Sequence, residues 1–190
     1  MNKKKLILIS ILSLILLLVS FKLDNVISNN ISQLWNPILN NIMIIISYLF
    51  DSINIILASL IMSIILFYKK KKQQALFLLS TTILGAVLVI IIKEIVQRAR
   101  PINQLVLESS YSFPSGHVVL STVFFISLFL ILKNKLKYLL ILVIIFIGFN
   151  RIYLNVHWFS DVIAGFFLGL IIVILGKSVS TKLFCDIPII

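Results

Sequence analysis

A chain of 190 residues that is 61% hydrophobic, with a mean hydropathy of +1.16 and 6 acids against 17 Lys and Arg, has more apolar surface than a soluble domain of this size can bury. It reads as an integral membrane protein, and the net charge of +11 is no nucleic-acid footprint, because the cations fall in short blocks between apolar runs. The single cysteine, Cys185, excludes an internal disulfide and a Cys-based metal site.

With no internal repeat and no low-complexity linker, residues 1–190 read as one membrane domain, its core at about 42–176. Lys3, Lys4 and Lys5 precede an apolar run, which is either a secretory signal or an uncleaved first span over about 5–21. Phe21 and Lys22 follow where a cleavage site would need small residues, which favours the span. Residues 23–41 are polar and broken by Pro37, with Trp35 suited to a membrane interface; they read as a loop with a short amphipathic piece.

A second span is expected over 41–68, ending at Lys69, Lys70, Lys71 and Lys72 and long enough to tilt or protrude. Asp51 falls near its outer end, as a carboxylate reaching water or partnering a helix end. Further spans are expected over 75–92, 118–132, 138–154 and 159–176. Of the 17 cations, 12 lie at one set of span ends (Lys3–Lys5, Lys69–Lys72, Lys133, Lys135, Lys137, Lys177 and Lys182). The other set holds Lys22, Lys93, Arg98, Arg100 and Arg151. The positive-inside bias then puts both termini in the cytoplasm, and both histidines on the outer side with the minority cations.

Three motifs lie on that side. Lys93 and Arg100 are seven residues apart, two helical turns, before Pro101 stops the helix. They suit an anion or, more plainly, lipid headgroups; Arg98 points elsewhere on a helix and reads as a headgroup contact. Next, Pro114, Ser115, Gly116 and His117 open the fourth span. They form either an N-terminus that binds phosphate or a plain cap with an interfacial histidine. Last, Arg151 supplies a forked cation, and His157 and Asp161 are four residues apart, on one face if a helix starts there. A carboxylate so placed fixes the imidazole tautomer and frees the other nitrogen, although many such pairs are surface contacts. Together these residues fit phosphoryl transfer, with cations on the oxygens and one histidine attacking while the other protonates the leaving oxygen. No closely spaced carboxylate pair offers Mg²⁺ a site, and the cations oppose a His/His/Asp zinc site.

The spacing Lys93…Arg100-Pro101, Pro114-Ser115-Gly116-His117, Arg151…His157…Asp161 resembles the type 2 phosphatidic acid phosphatase (PAP2) family. The one departure is Asn150, where that family commonly has Ser. The resemblance implies an all-α bundle of six membrane helices, no metal and no cofactor. It implies His157 as nucleophile, Asp161 orienting it and His117 as general acid. Lys93, Arg100, Ser115, Gly116 and Arg151 would hold the phosphoryl oxygens. The implied partners are the bilayer and a lipid phosphate, with no nucleic acid. Undecaprenyl diphosphate is favoured by an outward site; phosphatidylglycerophosphate and phosphatidic acid are alternatives. A lipid-phosphate carrier or a phosphotransferase would share the cations, but a carrier would not need the His157/Asp161 pair.

Overall fold

The computed structural model describes residues 3–132 and 134–183, with side chains from Ile15 to Ser178 apart from Lys133 and Leu136. Cys185, Lys133 and the side chains of Lys3, Lys4, Lys5 and Lys182, on which the cysteine reading and part of the charge count rest, lie outside what is described. The helices are α1 (Lys3–Asn30), α2 (Pro37–Leu49), α3 (Ser52–Tyr68), α4 (Lys72–Val96), α5 (Gly116–Ile131), α6 (Leu139–Tyr153) and α7 (Phe159–Leu183). Short 3-10 turns at Ile31–Leu34 and Lys135–Tyr138 join them, and there is no strand among the described residues.

α4 and α7 are each long and apolar enough to cross a membrane, as are α2 and α3 taken together, which meet at a bend of 45°. Counting that pair as one rod gives a six-rod helical membrane bundle. At its centre is α5, which packs against α3, α4, α6 and α7. Every residue from Gly116 to Phe124 is buried, as expected of a helix that is apolar on all sides.

Close approach of α7 to α5 depends on two glycines four residues apart. A Cβ at Gly169 would lie 2.6 Å from Cβ of Thr122, and one at Gly165 would lie 3.0 Å from the Ser115 carbonyl oxygen. Small residues at this spacing let membrane helices touch backbone to backbone. Gly169→Ala is expected to destabilise the bundle by about 1–3 kcal/mol, the usual cost of overpacking. A lower thermal midpoint in detergent, with the glycine's neighbours Val119 and Thr122 unchanged, checks this.

Two expectations need correction. Residues 23–41 are not a loop, because α1 continues to Asn30 and α2 starts at Pro37 behind an Asn36 cap that accepts from the Leu39 amide. Its polar residues are polar because they meet the rest of the protein: Asp24 is buried, and Ser28 donates to Asn155 at 2.9 Å. The second span is likewise not one helix. It breaks at Phe50 and Asp51, where the Asp51 carboxylate caps α3 by accepting from the Ile53 amide at 2.9 Å.

Candidate active site

The connection from α6 to α7 carries His157. Asn155 adopts a left-handed backbone (φ 53°), which Asn tolerates better than most residues. Its side chain is pinned by Ser28 and by donation to the Asn103 carbonyl at 2.8 Å. α7 begins at Phe159, so His157 precedes the helix and Asp161 sits in its first turn. Asp161 reaches back to accept the Trp158 amide at 2.9 Å, an acid satisfying an orphan N–H at the positive end of the helix. That places Oδ2 of Asp161 3.5 Å from Nδ1 of His157, within ion-pair range but longer than an ordinary hydrogen bond. Nε2 of the same ring faces the other way, 3.3 Å from Nη1 of Arg100.

Arg151 is fully buried and gives one N–H to Ser47 of α2 at 2.6 Å and another to Glu108 at 3.2 Å. Arg100 meets the other Glu108 oxygen at 3.6 Å. Two guanidiniums thus converge on one carboxylate beside His157. Lys93 donates to the Tyr111 carbonyl at 2.6 Å and to the Ser110 hydroxyl at 2.9 Å, and Arg100 donates to the Ser110 carbonyl at 2.7 Å. The two cations do come together, but not through helical periodicity. α4 stops at Val96 with Gln97 left-handed (φ 49°), and Arg100 is delivered by the non-helical segment that follows.

At the start of α5 the Ser115 amide donates to the Asp161 carbonyl oxygen at 3.1 Å, tying this helix end to α7. The buried Ser115 hydroxyl and Arg151 Nε have no hydrogen-bond partner among the described residues. A Cβ at Gly116 would lie 3.3 Å from Val89 and 3.6 Å from the Ser52 hydroxyl, so that glycine also serves helix packing. His117, the second residue of α5, places Nε2 3.4 Å from Asp51. Asp51 therefore partners a helix end, as expected, and also a site histidine. Asn150 faces away, donating to the Met43 carbonyl of α2 at 2.8 Å.

Arg98 is not a headgroup contact. It donates to Asp161 Oδ1 at 2.7 Å and to Asp24 of α1 at 2.6 Å, between the rings of Phe21 and Trp158. Periodicity missed it because α4 has already ended at Val96. Asp24 was missed because α1 was expected to end before it. One signal was present: Ser20, Asp24 and Ser28 recur every four residues, a polar stripe on an otherwise apolar helix.

Burial holds the His157 imidazole well below its usual value of 6.5, and the positive charges of Arg100, Arg151 and Lys93 push it the same way. The ring is therefore neutral at pH 7, with a lone pair on one nitrogen. A neutral imidazole faces a cluster of cations beside an anion position, an arrangement able to attack an electrophile that those cations hold.

The PAP2 superfamily model matches residues 74–184. Phosphatidylglycerophosphatase B of Bacillus subtilis (strain 168) is 36% identical over 104 residues, 49% of this chain and 51% of that protein. Undecaprenyl-diphosphatase of Sulfolobus acidocaldarius is 33% identical over 86 residues, 42% of each. The chain thus matches about half the length, or less, of these curated relatives. Among solved structures, a transmembrane PAP2 type phosphatidylglycerolphosphate phosphatase from Bacillus subtilis superposes with a TM-score of 0.73 at 28% identity, over 90% of this chain and 96% of that one. LpxE of Aquifex aeolicus gives 0.69 at 28% identity, over 82% and 95%. The matched segment covers more than half the sequence and holds every motif residue from Lys93 to Asp161, so the chain belongs to the PAP2 superfamily.

Proposed function

We propose that this protein hydrolyses a membrane lipid phosphate at the extracytoplasmic face, without a metal, through a phosphohistidine on His157. The observation that carries this reading is the pairing of a neutral His157, its Nε2 turned toward Arg100, with two arginines that already grip an anion, Glu108. In the proposed reaction Nε2 attacks phosphorus while Lys93, Arg100, Arg151, Ser115 and the Gly116 end of α5 hold the non-bridging oxygens. As the N–P bond forms, the P–O bond to the lipid breaks and the leaving oxygen takes a proton from His117. Water then attacks phosphorus, gives its proton to His117, and the N–P bond breaks to release phosphate.

An amphiphilic substrate is supported by the surroundings. A polar cavity of about 340 Å³ lies on one side, lined by Arg98, Arg100, Gln104, Glu108 and Ser110. An apolar cavity of about 430 Å³ opens between α5, α6 and α7, lined by Val118, Gly148, Ile152, Phe159 and Phe166. Lipid tails are of the right chemistry for the second. The outward orientation rests on the charge count, and it favours undecaprenyl diphosphate. A second reading, phosphatidylglycerophosphate or phosphatidic acid, is favoured by Asp51, whose negative charge 3.4 Å from His117 opposes a leaving phosphate oxygen more than a leaving alcohol oxygen.

The test is phosphate release by detergent-purified protein, with chelator present, from undecaprenyl diphosphate, phosphatidylglycerophosphate and phosphatidic acid. Release that survives chelator is expected, and the ranking of kcat/KM names the lipid. Release that depends on added divalent metal overturns the metal-independent reading. Phosphate found on a second lipid and never in water replaces hydrolysis with transfer.

A further inference from the structure

We propose that Asp24 of α1 and Arg98 are positioning residues for the nucleophile, so that the first helix completes the active site. The inference rests on the reading that Asp161 orients His157.

Asp161 touches His157 through Oδ2 alone, and its other oxygen, Oδ1, is taken by Arg98 at 2.7 Å. Arg98 is in turn anchored by Asp24 at 2.6 Å. Asp24 does more than neutralise it. Its Oδ1 accepts the Ser160 amide at 2.8 Å and its Oδ2 the Ser160 hydroxyl at 2.6 Å, while Arg98 also donates to that hydroxyl at 2.7 Å. Asp24, Arg98 and Ser160 thus form a closed ring of charge-assisted bonds at the first turn of α7, and Asp161 is joined to it through Arg98.

Each member has a reason to be there. A buried carboxylate on a membrane helix is costly unless paired, and Asp24 is 3% exposed. Asp161 is fully buried, and its own hydrogen bonds are a backbone amide and this arginine. Without Asp24, the guanidinium keeps its charge but loses the partner that fixes its plane, and Oδ1 of Asp161 loses a fixed donor. The carboxylate is then free to rotate away from Nδ1, 3.5 Å off. α1 also steadies the loop itself, through Ser28 on Asn155. The arrangement resembles the outer partners that orient site histidines in metal centres, whose loss costs about 10–100-fold.

The test is a double-mutant cycle on the full chain in detergent, reading kcat, KM and the rate of protein phosphorylation in a single turnover. Asp24→Asn is expected to lower kcat and the phosphorylation rate about tenfold with KM unchanged. In an Asp161→Asn background the same change should cost nothing further, because residues acting as one unit are not additive. Ser160→Ala is the milder variant, removing the hydroxyl that Asp24 and Arg98 share, and should repeat the pattern on a smaller scale if Asp24→Asn does not fold. Equal fractional losses in both backgrounds overturn the proposal, since a general loss of stability would act so. A normal kcat in both Asp24→Asn and Ser160→Ala, with Asp161→Asn impaired, overturns this clamp and leaves the catalytic reading standing. A normal kcat in Asp161→Asn itself overturns that reading and the clamp with it.

Discussion

His157→Ala is expected to remove turnover, lowering kcat by about 10⁵-fold or to the assay floor, with no labelled protein after acid-free quenching of a single turnover. No other group stands ready to replace it. The second histidine, His117, faces Asp51 at 3.4 Å from the start of α5, while the surrounding side chains are cations that hold oxygens and do not attack phosphorus. The fold should survive, because Nδ1 makes no full hydrogen bond and Arg100 keeps its bonds to the Ser110 and Val156 carbonyls. Phosphate on the protein in His157→Ala would move the nucleophile elsewhere.

The protonation state of His157 gives this prediction a pH dependence. A folded value pushed down by burial and by neighbouring cations means that the imidazole stays neutral as pH falls to 6.5. An unperturbed ring would be half protonated there and would lose half its rate. After correction for titration of the substrate phosphate and of the proton donor His117, kcat/KM should therefore show no loss from His157 down to 6.5. A rate already halved at that pH would mean that the ring is not desolvated as the structure has it. For stability the sign is the same: the unfolded chain takes up this proton from 6.5 downward before the folded one does, so acid favours unfolding in that range.

How much of this was legible in the sequence divides by the range of the interactions. The spans now seen as α4, α5, α6 and α7 were placed to within a few residues at most ends, because long apolar runs bounded by Lys, Pro or polar motifs leave little choice. The eight motif residues could be named from spacing and resemblance, and the structure brings the histidines, arginines and Asp161 together. Where local reasoning failed, a distant partner had changed the meaning of a polar residue. Asp24, Ser28 and Asn36 looked like a loop because the partners of Asp24 and Ser28 are 74 to 136 residues away. Asp51 looked like an interfacial acid because nothing near it in sequence says that His117 is its neighbour. A helical wheel does not describe Arg98, because Gln97 ends the helix before it.

Asp161→Asn is expected to lower kcat by about 10⁴-fold while KM changes little, although the side chain keeps its size. As a carboxylate, Asp161 accepts on both oxygens, from Arg98 at Oδ1 and from the Trp158 amide at Oδ2. An amide accepts on one side and donates on the other, so one of these donors must face an NH₂. Turning the NH₂ toward Arg98 sets donor against cation in a buried place, the costlier choice. Turning it toward Trp158 also directs it at His157, whose Nδ1 then accepts in place of donating. The ring's proton moves to Nε2, the nitrogen facing Arg100 and, in the proposed reaction, the attacking one. The nucleophile would be intact, in place and protonated on the wrong atom. KM is spared because Arg100, Arg151 and Lys93, which would grip the phosphate, are not bonded to Asp161. Steady-state kinetics on the purified variant decide it: a fall in kcat within tenfold means that Asp161 holds the helix end and not the tautomer, while a rise in KM with kcat kept would place it among the phosphate ligands.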